Sequence, residues 1–195
     1  MTDNTLRLPD NPCLVSLDYL RRVDGENPPG ALLAQSKLNG HRRVALFLPH
    51  GWIYISKYSA GPAARALPAS VKAPFEGHAW PAGIGIDCEW VGPRGGAQAL
   101  WVFDLCYYRG EWCGDMPFSD RHAILASLAY RHTVRCYPNP GLVDVFYQEL
   151  TVPQSEGLVI RRADSKLIGK WDGFAESGTT WKVKFQRKHG GGKCL

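Results

Sequence analysis

The chain contains no CxxC pair. Its six cysteines, Cys13, Cys88, Cys106, Cys113, Cys136 and Cys194, are scattered, and a zinc site needs clustered ligands, so reduced and buried thiols are expected. No apolar run approaches the ~20 residues that cross a bilayer. The first ten residues, MTDNTLRLPD, lack the basic-then-apolar build of a signal peptide. The expectation is a soluble protein of the cytoplasm or nucleoid, not secreted and without a membrane partner. There is no internal repeat, and no low-complexity tract precedes the last few residues. Acidic residues are the minority charge: 18 Asp and Glu stand against 23 Lys and Arg, a net +5. That excess suits a polyanionic partner without identifying one.

What is present is ordinary globular material. Hydrophobic residues make up 45% and charged residues 21% of 195, enough for one good-sized domain with its own core. Residues 1–30 read as an irregular lead-in with one short helix around 14–23, broken by GENPPG. ALLAQSKL and RVALFL are strand-like, and PHG before WIYISK reads as a hairpin turn. Residues 61–70 suit a short helix interrupted by Pro68. GIGIDCEWV and ALWVFDLCYY are further strands, separated by the loop GPRGG. SDRHAILASLAYRH carries Ile124, Leu125, Leu128 and Ala129 at helical spacing, with Ser119 or Asp120 placed to cap it. A short helix fits GLVDVFYQEL, and EGLVIRR and TTWKVKF close the series. The pattern is α+β, dominated by antiparallel strands.

Several of these segments carry chemistry-bearing residues with two readings each. Lys37, in KLNG and followed by Arg42, is a solvated surface charge or a nucleophile, because a lysine crowded by other cations loses its proton more easily. Gly40 lets the backbone approach a phosphate or ribose closely. Glu89 in IDCEW and Glu156 in EGLVI are half-exposed strand residues or, converging, two oxygen ligands for a magnesium ion against a triphosphate. Lys182 and Lys184 alternate in WKVKF and so leave the same strand face, as a plain polar face or as a grip on a phosphate.

Their order resembles the motif series of the covalent nucleotidyltransferases, the superfamily of polynucleotide ligases and mRNA capping enzymes. The series is lysine-x-x-glycine, a strand glutamate, an aromatic-aspartate strand, EGLVI and lysine-x-lysine, and it runs from about Gln35 to Lys184. Within that superfamily VFDLCYYRGEWCGDMPFSDRHAIL is similar to ATP-dependent DNA ligases, with Phe103-Asp104 on a strand and Arg121 opening a helix. The resemblance implies a nucleotidyltransferase (ATP-grasp-like) domain over 31–188, antiparallel sheets flanked by helices, with a flexible tail at 189–195.

It also implies roles. Lys37 would attack ATP and carry AMP, with Lys182 and Lys184 gripping the α-phosphate as further catalytic residues. Gln35 would read the adenine amino group, Arg42 the ribose region, and Phe103 would stack on the base. Glu89 and Glu156 would position magnesium, Glu89 also touching the nucleotide. Where the family places a serine-arginine pair on sugar or phosphate, this chain has Ser56-Lys57, which keeps the charge and loses the guanidinium fork. The implied cofactors are ATP and Mg²⁺, and the implied substrate is nicked duplex DNA in replication or repair. RNA ends joined by the same chemistry, or non-catalytic binding of a nucleotide or DNA end, are the rival readings. Two departures stand out. Asn39 replaces the usual aspartate, keeping hydrogen bonding without charge. The sequence also ends at Leu195, eleven residues after Lys184, where family ligases continue into an OB-fold domain. The expectation is therefore a domain without a C-terminal OB fold, completed by a separate OB-fold or clamp partner or acting alone. Nucleic acid would then meet a basic surface of Arg161, Arg162, Lys166, Lys170, Arg187 and Lys188.

Overall fold

Strands with one apolar face need a cover for that face, and here two sheets each find it in helices. The computed structural model describes residues 11–56, 67–92, 98–167, 176–187 and 193–194. One five-stranded sheet contains β1 (Asn11–Leu14), β2 (Leu32–Leu38), β8 (Cys136–Pro138), β9 (Ser155–Arg162) and β10 (Glu176–Lys184), in the order β1-β10-β9-β2-β8. The other contains β3 (His41–Leu48), β4 (Gly51–Ser56), β5 (Gly85–Val91), β6 (Ala99–Tyr108) and β7 (Glu111–Trp112), in the order β4-β3-β5-β6-β7. Every pairing in the two sheets is antiparallel except that of β1 with β10. The helices are α1 (Leu17–Glu26), α2 (Ala69–Glu76), α3 (Phe118–Ser127) and α4 (Leu142–Glu149), and β11 (Gln186–Arg187) pairs with β12 (Lys193–Cys194).

Period-two alternation assigns each sheet a core face. Leu32 and Ala34 of β2, Leu158 and Ile160 of β9, and Val183 of β10 are buried with Leu20 of α1 and Phe146 of α4. On the second sheet Ala45, Ile86, Cys88, Leu100 and Val102 form a core with Phe75 of α2 and Leu125 of α3. Phe75 is fully buried, its ring 4.8 Å from Trp52, 5.1 Å from Trp80 and 5.6 Å from Tyr130. Burying such a side chain contributes about 1.5–3 kcal/mol. The other faces of the two sheets carry the polar residues.

The structure departs from the sequence reading at three places. The stretch before Ala31 is not only irregular: β1 adds a parallel strand beside β10, and α1 buries Leu20 and Val23 in the first core. Helix α2 starts after Pro68 instead of being interrupted by it: Pro68 stands at the N-cap, where its missing N–H costs nothing, although Pro74 lies inside the helix. The start of the 61–70 segment lies outside the described residues. Helix α3 is capped by Pro117 with no side-chain bond, so Ser119 and Asp120 fall inside the helix, Asp120 in its first turn. It also ends at Ser127, short of His132, with Ala129 at φ 54° in the left-handed region. Among the described residues no helix is long and apolar enough to cross a membrane.

Candidate active site

A cleft of about 290 Å³ lies where the polar faces of both sheets meet. The first sheet brings Gln35 and Lys37 from β2, Glu156 from β9, and Lys182 and Lys184 from β10. The second brings Arg42 from β3, Glu89 from β5 and Phe103 from β6. Alternation explains most of this. Lys182 and Lys184 leave one face of β10 while Val183 enters the core between them, and Gln35 and Lys37 lie opposite Ala34.

Glu156 breaks the rule, and a bulge explains it. Strict alternation would set it with Leu158 and Ile160 on the core face. The β2–β9 register instead steps from Ser36↔Leu158 to Leu38↔Ser155, so one strand spends an extra residue. Gly157 takes that irregular step at φ 140°, and a Cβ there would meet the Val183 carbonyl oxygen at 1.9 Å. The bulge turns Glu156 over onto the cleft with Val159 and Arg161.

The charges in the cleft are matched. Lys37 Nζ donates to Glu156 Oε1, and Lys184 Nζ stands 3.3 Å from the same oxygen. Burial works to raise the Glu156 pKa, but Lys37 and then Lys184 overcome it and hold the carboxyl below its ordinary value. Glu89 goes the other way. Burial pushes it up to about 7 against the pull of Lys37 and Arg42, and the charges of Asp87 and Glu156 add to the rise. Burial opposes the Arg42 charge, yet Asp87 more than offsets it, with Nε 2.8 Å from Oδ1 and Nη2 on the other oxygen. Gln35 is 2% exposed, and its Nε2 donates to the main-chain carbonyls of Phe103 (3.0 Å) and Val134 (3.4 Å). That leaves its Oε1 as the acceptor end of the carboxamide. Phe103 is half-buried, with the Arg42 and Arg161 guanidiniums 5.8 and 5.9 Å from its ring centre.

Beneath the cleft is an ion network of which the sequence shows only the ends. Asp104 is fully buried and accepts from Arg121 Nε at 2.9 Å and Nη2 at 3.1 Å, and from Arg161 Nη1. Burial alone would raise Asp104, but the two guanidiniums prevail and hold it below its ordinary value. The aspartate of the aromatic-aspartate strand and the arginine at the start of α3 are thus partners.

Some sequence assignments change. Arg161 is 5% exposed and tied to Asp104, so it belongs to the cleft floor and not to a basic surface. Arg162 is exposed and shares its charge with Asp164 at 2.7 Å, while Lys166 is exposed. Lys57, Lys170 and Lys188, and the side chain of Arg187, lie outside the described residues. Ser56 is buried and accepts from Arg43 Nη1 at 3.1 Å, away from the cleft lining. Gly40 is needed for packing: a Cβ would meet the Trp90 carbonyl oxygen at 2.3 Å and Glu89 Cγ at 2.9 Å. Asn39 is exposed, with its main-chain N–H donating to the Gln154 carbonyl at 2.9 Å. Asp87, the partner of Arg42, was missed in the sequence, although it stands two residues before Glu89 and so on the same strand face. Cys88, Cys106 and Cys113 are buried free thiols.

No family model matches the chain, and no curated protein matches it. Solved structures do. A mycobacterial DNA ligase D complexed with ATP aligns at TM-score 0.60 and 17% identity, covering 95% of this chain and 62% of its own. The chain has the fold of a ligase nucleotidyltransferase domain. A structure from the Lig E DNA ligases aligns at TM-score 0.54 and 16% identity, over 89% of this chain and 68% of its own. An archaeal ATP-dependent RNA ligase aligns at TM-score 0.53 and 17% identity, over 91% of this chain and 48% of its own. The chain therefore spans about three-fifths of the length of that mycobacterial structure. Identities this low carry the fold and leave the substrate open.

Proposed function

We propose that the protein is an ATP-dependent polynucleotide ligase-type adenylyltransferase that forms lysyl-AMP on Lys37 and seals nicks in duplex DNA. One observation carries this reading: six residues spread from Lys37 to Lys184 in sequence line a single cleft, in the chemical types that adenylyl transfer needs. The adenine stacks on Phe103. Gln35, with its N–H groups already donated to carbonyls, presents Oε1 to the adenine amino group, and the same oxygen would oppose the O6 acceptor of guanine. Lys182 and Lys184 bind the α-phosphate and offset charge gathering there in the transition state.

In the reaction Lys37 Nζ leaves Glu156, gives up a proton to water and attacks the α-phosphorus. A nitrogen–phosphorus bond forms, the α–β phosphoanhydride bond breaks, and its electron pair departs with pyrophosphate. Among the described residues no cluster of three or more His, Cys, Asp or Glu could hold a metal by itself. Glu89 and Glu156 fit a magnesium ion brought with the nucleotide: they are hard oxygen donors whose charges repel across the cleft. Bound there, magnesium would neutralise triphosphate charge. In the later steps AMP passes to a 5′-phosphate at the nick, and a 3′-hydroxyl displaces it.

The likeness to an archaeal RNA ligase favours RNA ends as the second substrate class. Offering the purified protein ATP, magnesium and matched nicked DNA and nicked RNA duplexes decides between them. Preferential sealing of the DNA nick is expected. Sealing confined to RNA replaces the substrate, and failure on both overturns the ligase reading.

A further inference from the structure

Lys37 sits opposite the bulge of β9. The β2–β9 ladder pairs Ser36 with Leu158 and then Leu38 with Ser155, so that Lys37 faces the two bulge residues Glu156 and Gly157, and the β2–β8 ladder ends at Gln35. The chain is also tied at this point to the end of α4 and its connection to β9. The Ser36 hydroxyl donates to Glu149 Oε1 at 2.8 Å, and the Asn39 main-chain N–H donates to the Gln154 carbonyl at 2.9 Å. Glu149, the last residue of α4, is 5% exposed. Its second oxygen, Oε2, is buried and makes no hydrogen bond among the described residues.

A buried carboxylate with one oxygen unsatisfied costs stability, and an apolar residue of similar size would serve the core better. What the carboxylate does achieve is local. It ties the end of a helix to the residue immediately before Lys37, beside the bulge.

We propose that Ser36 and Glu149 form a positioning pair that sets the direction of Lys37 toward the α-phosphate. The role rests on Lys37 being the nucleophile. Without the tether β2 can shift at the register step, and Lys37 Nζ swings with it. A displacement of an ångström at a reacting atom is enough to slow a reaction by about a hundredfold.

The test compares two steps of one protein. Lysyl-AMP formation needs Lys37 as nucleophile. Sealing of a nick that already carries 5′-AMP does not, although it uses the same cleft. With Ser36→Ala and Glu149→Ala, lysyl-AMP formation at saturating ATP should fall about tenfold to a hundredfold. The ATP concentration for half-saturation and the sealing of the pre-adenylated nick should stay near those of the unmodified protein. Glu149→Gln keeps an acceptor for the Ser36 hydroxyl and should recover most of the rate lost in Glu149→Ala. Ser36→Ala removes one hydroxyl and carries the test if Glu149→Ala does not fold. An unchanged adenylation rate in Ser36→Ala overturns the proposal, as does a parallel fall in both steps, which marks a merely structural role. Absence of label on the unmodified protein overturns the function itself, a result distinct from either.

Discussion

Lys37, Glu156 and Lys184 share one carboxylate oxygen, and Glu89 a short way off carries a pKa near 7. Two acids in one cleft are thereby held in different states, Glu156 ionised and Glu89 ready to take a proton. The Glu89 shift has a consequence for stability. Its folded-state pKa lies above the ordinary value of 4.5, so the folded protein keeps a proton that the unfolded chain releases between pH 4.5 and about 7. Stability therefore falls as pH rises through that window, and the penalty is complete above it. Glu89→Gln should stabilise the nucleotide-free protein at pH 8 by on the order of 2–3 kcal/mol. The gain should vanish below pH 4.5. Urea unfolding of both proteins at pH 5, 7 and 8 measures it, and a gain that does not vary with pH contradicts the account.

At the scale of elements the strands were the most legible part of the sequence. IDCEW and WKVKF alternate cleanly, and the face shared by Lys182 and Lys184 follows from spacing alone. What spacing could not supply is the register break that turns Glu156 against its own alternation, because a bulge depends on the partner strand. Gly157→Ala sets a methyl group into the Val183 carbonyl and demands φ 140° of a residue with a Cβ. We expect a loss of about 2–4 kcal/mol in stability together with loss of adenylation, since Glu156 can no longer face the cleft. An alanine variant of unchanged melting temperature and activity would show the bulge to be dispensable. The Asp104 network was half legible, with Asp104 and Arg121 visible as motif residues and their contact hidden until β6 and α3 pack. Arg161 was misplaced for the same reason: a strand-end arginine looks like a surface cation until an acid from the other sheet is found beneath it. Asp104→Ala leaves two buried guanidiniums without their shared partner and should cost about 3–5 kcal/mol, read by chemical unfolding. A cost within the range of a surface substitution would mean that the network contributes little.

For the molecule as a whole, two sheets with separate cores leave their polar faces to meet, and the cleft between them is the product of that arrangement. Strands from both sheets must fold before Lys37, Glu89, Phe103 and the two lysines of β10 come together, so the site reports on the entire fold. The central claim is that Lys37 accepts AMP. Incubating the purified protein with magnesium and ATP labelled at the α-phosphate, beside Lys37→Ala, tests it most directly. The unmodified protein should retain label through denaturation and release it in acid, where the phosphoramide bond is weak, and the variant should take up none. Equal labelling of the two proteins, or none on the unmodified one, would contradict the account.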